Sequence, residues 1–340
     1  MAPQITLVMP TYNGMKFLPA AVNSLLEQDF QDWELIVSDD GSKDGTRDFL
    51  DTLTDPRIKV FKQEKNLGIF GNLNFLFSQA TAPITQIFCQ DDKLTSRSAV
   101  ATVMNLWSGL GPEVGFLRCN HVRETFKLSK LNRFEASILP TYPQLVTPEV
   151  SDFYFIVFGC IPGNLSNVSL RTELVAQNGG YDQSLPYSGD FEFWSRIGRK
   201  YVWCISDADV MRVHEHEGQA SKTLNYKGEL LPQQERVISS LYSHLVQKNI
   251  PAGELRFIAT INTIAPHFYI AVKRLVLKRD PRYLKMLYSV YGKSKVTFGN
   301  VATTFICLAS LGGRVGSVYF SSRFLKRHVP DRSLAPSADQ

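Results

Sequence analysis

The chain has 340 residues, 44% of them hydrophobic, enough to bury a sizeable core in one large domain with an appendage. Its five cysteines (Cys89, Cys119, Cys160, Cys204 and Cys307) lie far apart with no CxxC pair, which excludes a disulfide framework or a thiolate metal site and fits a reducing cytosol. The segment "MAPQITLVMPTYN" enters a strand at once, with no apolar leader of a secretory signal, so a cytoplasmic location is expected. The net charge of +5 conceals an asymmetry. Residues 270–330 hold twelve Lys or Arg against Asp280 alone, a net of +11, so the remainder is net −6. An acidic body with a basic tail predicts a tail that meets something anionic.

Four short apolar runs open the chain: "ITLVM" (5–9), "WELIV" (33–37), "IKVF" (58–61) and "ITQIF" (84–88). Each is rich in Ile, Val or Phe and bounded by Pro, Gly or Asp, as strands are. Helical periodicity occupies 17–28, 46–53 and 70–80 between them, with Ile69, Leu73, Leu76 and Phe77 on one face. This alternation predicts a mostly parallel sheet flanked by helices, with ligands at the carboxyl ends of the strands. Residues 121–160 read as irregular and aromatic. A strand (164–170), a turn at Gly179-Gly180, a helix (190–199) and a strand (201–205) follow, and beyond about residue 225 the pattern is purely helical. The polar last ten residues read as a disordered tail.

The strand ends carry the chemistry. "PTYN", "SDDGS" and "CQDD" follow the first, second and fourth strands and are predicted to lie along one edge. Carboxylates are costly to bury, so Asp39 and Asp40 at a strand end face solvent or a ligand, unless Ser42 or Asp44 merely caps the next helix. Asp91 and Asp92 add a second acid pair, which either caps a helix near Ser96 or joins the first in a cluster that repels itself without a cation. A hard divalent ion, Mg2+ or Mn2+, held by carboxylates and substrate phosphates answers that repulsion. Other nucleotide sites fail on spacing. The first turn has Gly14 alone where a dinucleotide fold needs GxGxxG, and Leu287 stands where a P-loop ending in "GKS" (292–294) needs glycine. "HEHEG" (214–218) has Gly218 in place of the second histidine of a zinc-protease motif.

Six segments carry a family resemblance: "VMPTYNG", "QDFQDWELIVSDDGSKDGT", "NLGIFGNLNFLFSQA", "IFCQDDKL", "GGYDQSLPYSGDFEFWSRI" and "RVHEHEGQAS". In order and spacing they resemble the inverting family 2 glycosyltransferases with the GT-A fold, over roughly residues 4–221. The resemblance implies that Pro10, Thr11 and Tyr12 lie against the nucleotide base, and that Asp39 and Asp40 include the carboxylate that binds it. Asn74 would sit in the helix that approaches the nucleotide-sugar. Asp91 and Asp92 match the acidic metal motif with Asp92 as ligand, and Asp190 matches the catalytic base. His216 is implied as a further metal ligand and, with Ser221, as part of the loop closing on the diphosphate. Two positions depart from the pattern: Gln90 replaces the first acid of Asp-x-Asp, and Gly189 replaces the acid before the base. "QQERV" (233–237) has Val237 for the Trp of the processive signature QxxRW, which favours transfer of a single sugar.

The resemblance thus implies a GT-A nucleotide-diphospho-sugar transferase domain over 1–224, the donor bound mainly by 1–120 and the acceptor met by 121–224. A helical, basic region (225–330) follows. The expected partners are a nucleotide-diphospho-sugar, by expectation UDP-linked, and a glycan or lipid-linked acceptor, with no nucleic acid among them. A sugar-1-phosphate nucleotidyltransferase and a non-catalytic nucleotide-binding scaffold on the same fold are the alternatives. "PTYNGMK" lacks the Gly-rich basic loop the first would want, and the acid set from Asp39 to Asp190 argues against the second. In the basic tail, residues 266–295 interleave Phe268, Tyr269, Leu275, Leu277, Leu284, Leu287 and Tyr288 with eight Lys or Arg. That pattern predicts either a helical appendage packed on the catalytic domain or a monotopic attachment to an anionic membrane surface. The uncharged run 296–313 reaches the length of a span, but its Asn300, hydroxyls and glycines argue against one.

Overall fold

The computed structural model describes residues 2–123, 144–214, 216 and 229–329. Strands β1 (Ile5–Thr11), β2 (Trp33–Asp39), β3 (Ile58–Lys62) and β4 (Ile84–Ile87) form the parallel half of a nine-stranded sheet, in the order β3-β2-β1-β4. Helices α1 (Leu18–Leu26), α2 (Thr46–Asp51) and α3 (Gly68–Gln79) make the crossovers. β1 and β2 are buried almost throughout because the sheet is covered on both faces. On α3 the buried apolar face is Phe70, Leu73, Leu76 and Phe77; Ile69, expected on that face, is exposed.

β5 (Lys93–Leu94) and α4 (Ala99–Ser108) follow, then β6 (Val114–Arg123), β7 (Gln144–Val146) and α5 (Pro148–Phe158). β8 (Val168–Arg171) inserts antiparallel between β4 and β6, α6 (Glu173–Gln177) and α7 (Gly189–Gly198) come next, and β9 (Val202–Val213) runs parallel to β6. The sheet is completed as β4-β8-β6-β9-β5, with β7 paired to β9. The reading of 121–160 as irregular is corrected at α5. Its "FYFIVF" is buried all round, so no polar face marks the helical period. Pro148 in its first turn supplies a start signal.

The remaining helices are α8 (Leu230–Gln247), α9 (Ala252–Ala259), α10 (Ala265–Lys278), α11 (Arg282–Tyr291), α12 (Asn300–Ala309) and α13 (Ser317–His328). A π turn over Thr260–Ile264 joins α9 to α10. Pro266 just beyond it lacks an N–H and crowds the carbonyl four residues back, which widens the helix there. Val237, Ile238, Leu241 and Leu245 of α8 share one core with Phe155 and Ile156 of α5. Buried Asp152 of α5 ties the same helices together. It accepts from Arg199 Nε at 2.9 Å through both oxygens and pairs with His244 Nδ1 of α8. The first helices of the tail are therefore packed on the sheet domain.

His267 of α10 provides a pH-sensitive contact in this helical region. Its Nδ1 lies 2.8 Å from the Tyr283 hydroxyl and its Nε2 2.8 Å from Gln234 Oε1, so the neutral ring is satisfied on both sides. Burial pushes its pKa down to about 4, and the Arg274 guanidinium lies over the Tyr283 ring. A histidine depressed in the folded state is protonated preferentially on unfolding. Its stabilising contribution is full above its ordinary value of 6.5 and is lost as pH falls toward 4. Between pH 7.5 and 4.5 the wild type should lose on the order of 1–3 kcal/mol more stability than His267→Gln, measured by thermal unfolding of the two side by side.

Candidate active site

The parallel register brings the carboxyl ends of three strands together. Thr11 pairs with Asp39 and Val8 with Ile87, while Phe88 N donates to Val8 O and carries the chain on toward Gln90. The loops beyond β1 and β2 are knitted together: Asn13 N donates to Ser42 Oγ at 2.7 Å, and Lys43 N to Asn13 Oδ1 at 2.9 Å. Gly14 N donates to Thr46 Oγ1 and Met15 N to Asp44 Oδ2. Gly45 starts α2 at φ +87°, a conformation that a side chain would strain.

Both acids at the end of β2, Asp39 within the strand and Asp40 just after it, are buried, and each has a distinct set of partners. Asp39 is paired with Arg47 Nε at 2.6 Å and accepts from the N–H groups of Gly41 and Ser42. Asp40 accepts from Leu67 N at 2.7 Å and Gly68 N at 3.0 Å, which ties the start of α3 to the end of β2. Burial raises the Asp40 pKa, and the neighbouring Asp39 charge adds to that, against the lowering effect of its two N–H donors. Tyr12 projects half-exposed beside them, while Thr11 is buried and accepts from Asp40 N through its carbonyl. Pro10 is partly buried between Met9 and Thr11.

Gln90 explains its own departure from the acidic motif. Its Oε1 accepts from Tyr12 N and its Nε2 donates to Tyr12 O, both at 3.0 Å. A carboxylate could accept there but not donate. A Cβ on Gly14 would stand 2.0 Å from Gln90 Oε1, so the glycine makes room for the contact. Gln90 thereby clamps the turn holding Asp91 and Asp92 to the loop holding Tyr12.

Asp91 and Asp92 follow β4 rather than ending it, and their described contacts are not with the first turn of α4. Asp92 is buried; Ser166 Oγ donates to its Oδ2 at 2.6 Å and His214 N to its Oδ1 at 3.2 Å. Burial, and then the charge of Asp91, push its pKa up to about 7. Asp91 is more open and lies 3.0 Å from His216 Nε2. The rings of His214 and His216 both pack on Phe17, at 4.8 and 4.6 Å between centroids. Ligand atoms of Cys89, Asp91 and Asp92 lie within 4.8 Å of one another. Burial drives the Cys89 thiol far above its ordinary value, which keeps it protonated. The donor set left, two carboxylates and an imidazole, suits a hard divalent cation, and the raised Asp92 pKa marks a position that lacks positive charge.

Asp190 stands in the first turn of α7, partly exposed, with Oδ1 accepting from Phe191 N at 2.8 Å and the Cys160 thiol 3.7 Å from Oδ2. Burial raises its pKa, and no Lys or Arg is among the groups that shift it. Burial drives the Tyr181 phenol far above its ordinary value, and the charge of Asp190 adds to that. Asn74 is directed elsewhere. Its Nδ2 donates to Tyr181 O and its Oδ1 accepts from Tyr181 N, so its amide holds the Gly180–Tyr181 turn leading to α7. Ser221 lies outside the described residues. The sequence reading missed Ser166, Phe17, Arg47 and Cys160. Arg47 follows Asp39 closely enough to suggest a partner, but Ser166 and Cys160 enter through the short turn before β8 and the loop after α5 with no motif to mark them.

An acid-lined edge of a parallel half-sheet, extended by antiparallel strands, defines an α/β domain of the GT-A type. Residues 6–150 match the family described as Glycosyl transferase family 2. Staphylococcus aureus TarS (residues 1–349), solved with UDP-GlcNAc, is similar in fold, with a TM-score of 0.63 at 16% identity over 95% of this chain and 91% of that one. Among curated proteins, the Campylobacter jejuni GalNAc(5)-diNAcBac-PP-undecaprenol beta-1,3-glucosyltransferase is 38% identical over 105 residues, 30% of this chain and 34% of that protein. The Escherichia coli UDP-Glc:alpha-D-GlcNAc-diphosphoundecaprenol beta-1,3-glucosyltransferase WfgD is 33% identical over 88 residues, 26% of this chain and 35% of that protein. The chain spans about a third of the length of each of these relatives.

Proposed function

We propose that the chain transfers a single sugar, with inversion, from a UDP-sugar to a hydroxyl of a lipid-linked glycan. The reaction would belong to polysaccharide or glycolipid assembly at the cytoplasmic face of a membrane to which the chain attaches peripherally. The observation that carries this reading is the pairing of a cation-seeking acid turn with a separate carboxylate, Asp190, that has a raised pKa and no basic partner among its shifting groups. The acceptor class follows both relatives, whose names specify glycans on undecaprenol diphosphate, and the donor class follows the UDP-Glc in the name of WfgD and the UDP-GlcNAc complex of TarS.

In this reading Tyr12 and the Asp39–Asp40 turn receive the nucleotide base, with Gln90 setting the distance between that pocket and the diphosphate. Pro10 and Thr11 shape its floor. Asp92, Asp91 and His216 would hold Mg2+ or Mn2+, which supplies charge neutralisation on the departing diphosphate. Ser221 would close over the diphosphate with His216. Asp190 takes the proton of the acceptor hydroxyl as the new bond forms on the face opposite the leaving group, a contribution of ~10²–10⁴-fold. Asn74 positions the turn that presents Asp190. The experiment is a panel of UDP-, GDP- and dTDP-sugars with Mn2+, scored for nucleoside diphosphate release with and without lipid-linked acceptor. Release of UDP from UDP-sugars, stimulated by acceptor, is expected; pyrophosphate release from UTP and sugar-1-phosphate would instead indicate a nucleotidyltransferase.

A further inference from the structure

The peripheral attachment proposed above acquires a surface in the last helices, and its location differs from the sequence expectation. Of the apolar groups interleaved with cations in 266–295, Phe268 and Leu287 are core residues and Tyr288 bonds Thr304 at 2.6 Å, so much of that stretch faces inward. The outward face lies further along the chain. Val301 (87% exposed), Phe305 (71%) and Leu308 follow one another at helical spacing on one side of α12. Leu311, Val315, Val318 and Tyr319 extend exposed apolar surface into α13, and Leu275, Val276 and Leu277 (69%) expose more at the end of α10. Large side chains exposed in such density mark an interaction surface rather than ordinary scatter. Among the described residues, no helix is long and apolar enough to cross a membrane.

Beside this surface lies a groove of about 450 Å³ between α10 and the loop after α12. Lys273, Arg274 and Lys278 line one wall and Arg314 the other, with no acidic side chain among the described lining residues. The Arg314 guanidinium stacks 4.6 Å from the Tyr269 ring centre, which holds it over the groove. Gly312, at φ +70°, lets the loop approach so closely that a Cβ would stand 2.5 Å from Tyr269 Cβ. The one acid on the segment, Asp280, is bound by Arg282 through both oxygens. Leu277 lies in the groove wall and Leu311 adjoins Gly312, so exposed apolar side chains adjoin the cations.

We infer that this face docks on an anionic phospholipid bilayer. The α12–α13 side chains enter the interface, and the Lys273–Arg314 groove receives a lipid phosphate headgroup. Charge complementarity selects this occupant, since a second copy of the same chain seated on the groove would set Lys273 and Arg314 against their own counterparts. Apolar insertion and headgroup attraction act together in such attachment, and the attraction weakens in salt. The inference deepens the proposed attachment and does not depend on the transfer chemistry.

The test is flotation of the full chain with vesicles of phosphatidylcholine containing about a third phosphatidylglycerol, or of phosphatidylcholine alone, at low and high salt. Binding to the anionic vesicles at low salt is expected, with loss in high salt and little binding to the neutral ones. Lys273→Gln with Arg314→Gln should lower partitioning about 30-fold, and Phe305→Glu with Leu308→Glu should abolish it. Both double variants should keep the wild-type melting temperature and its shift by UDP with Mn2+, which separates failure of docking from failure of the donor site. The inference is overturned if the wild type stays unbound at low salt, or if the variants float equally well. It is also overturned if light scattering shows a dimer that Phe305→Glu with Leu308→Glu dissociates, since the face would then cover a second copy.

Discussion

Replacing Asp190 with Asn is expected to lower kcat by ~10²-fold or more while leaving donor affinity nearly unchanged. The amide is isosteric, so its carbonyl can still accept from Phe191 N and the first turn of α7 keeps its geometry. What disappears is the basic oxygen beside the Cys160 thiol. The raised pKa adds a second readout. Burial favours the protonated acid, so the active carboxylate is lost as pH falls through a value above the ordinary 3.8. The rate with saturating acceptor should fall on the acid side of the profile in the wild type, and that limb should be absent from the residual activity of the variant. Transfer at a near wild-type rate in Asp190→Asn would move the base elsewhere and leave Asp190 as a helix-start acid.

Asp92→Ala is expected to abolish the metal dependence of UDP binding, so that affinity with Mn2+ equals that in EDTA. The buried carboxyl has its pKa near 7 without a cation, so a cation must displace a proton to bind there. Mn2+ affinity measured by calorimetry should therefore rise with pH and level off above about 7. In cation-free protein the sign reverses for stability. A carboxyl raised in the folded state stabilises it below the ordinary 3.8, and that contribution is lost as pH climbs toward 7. The melting-temperature gain on adding Mn2+ should thus be larger at pH 8 than at pH 5.5, and Asp92→Asn should remove the difference. Gln90→Ala should keep the metal dependence. It should weaken UDP binding by roughly five- to tenfold, because two hydrogen bonds to the Tyr12 backbone are lost.

The sequence by itself determined the parallel half of the sheet and the position of its acids. Short β-branched runs alternating with helical periodicity leave little choice of architecture, and acids directly after such runs must fall on one edge. The same local logic located α7 and the all-helical tail, because caps, glycines and periodicity act over a few residues. Local signals failed at α5, where uniform burial erases the helical period. They failed again in the tail, where Phe268 and Leu287 look as free to face a membrane as Phe305 does. Tertiary structure decided the roles inside the acid set. Asp39 and Asp40 differ because Arg47 reaches one and the α3 backbone the other. Asp91 and Asp92 differ because His216 meets one and Ser166, 74 residues away, meets the other. A carboxylate's charge, partners and pKa are set by what the fold brings within hydrogen-bonding distance, and those contacts cross sequence separations over which no spacing rule operates.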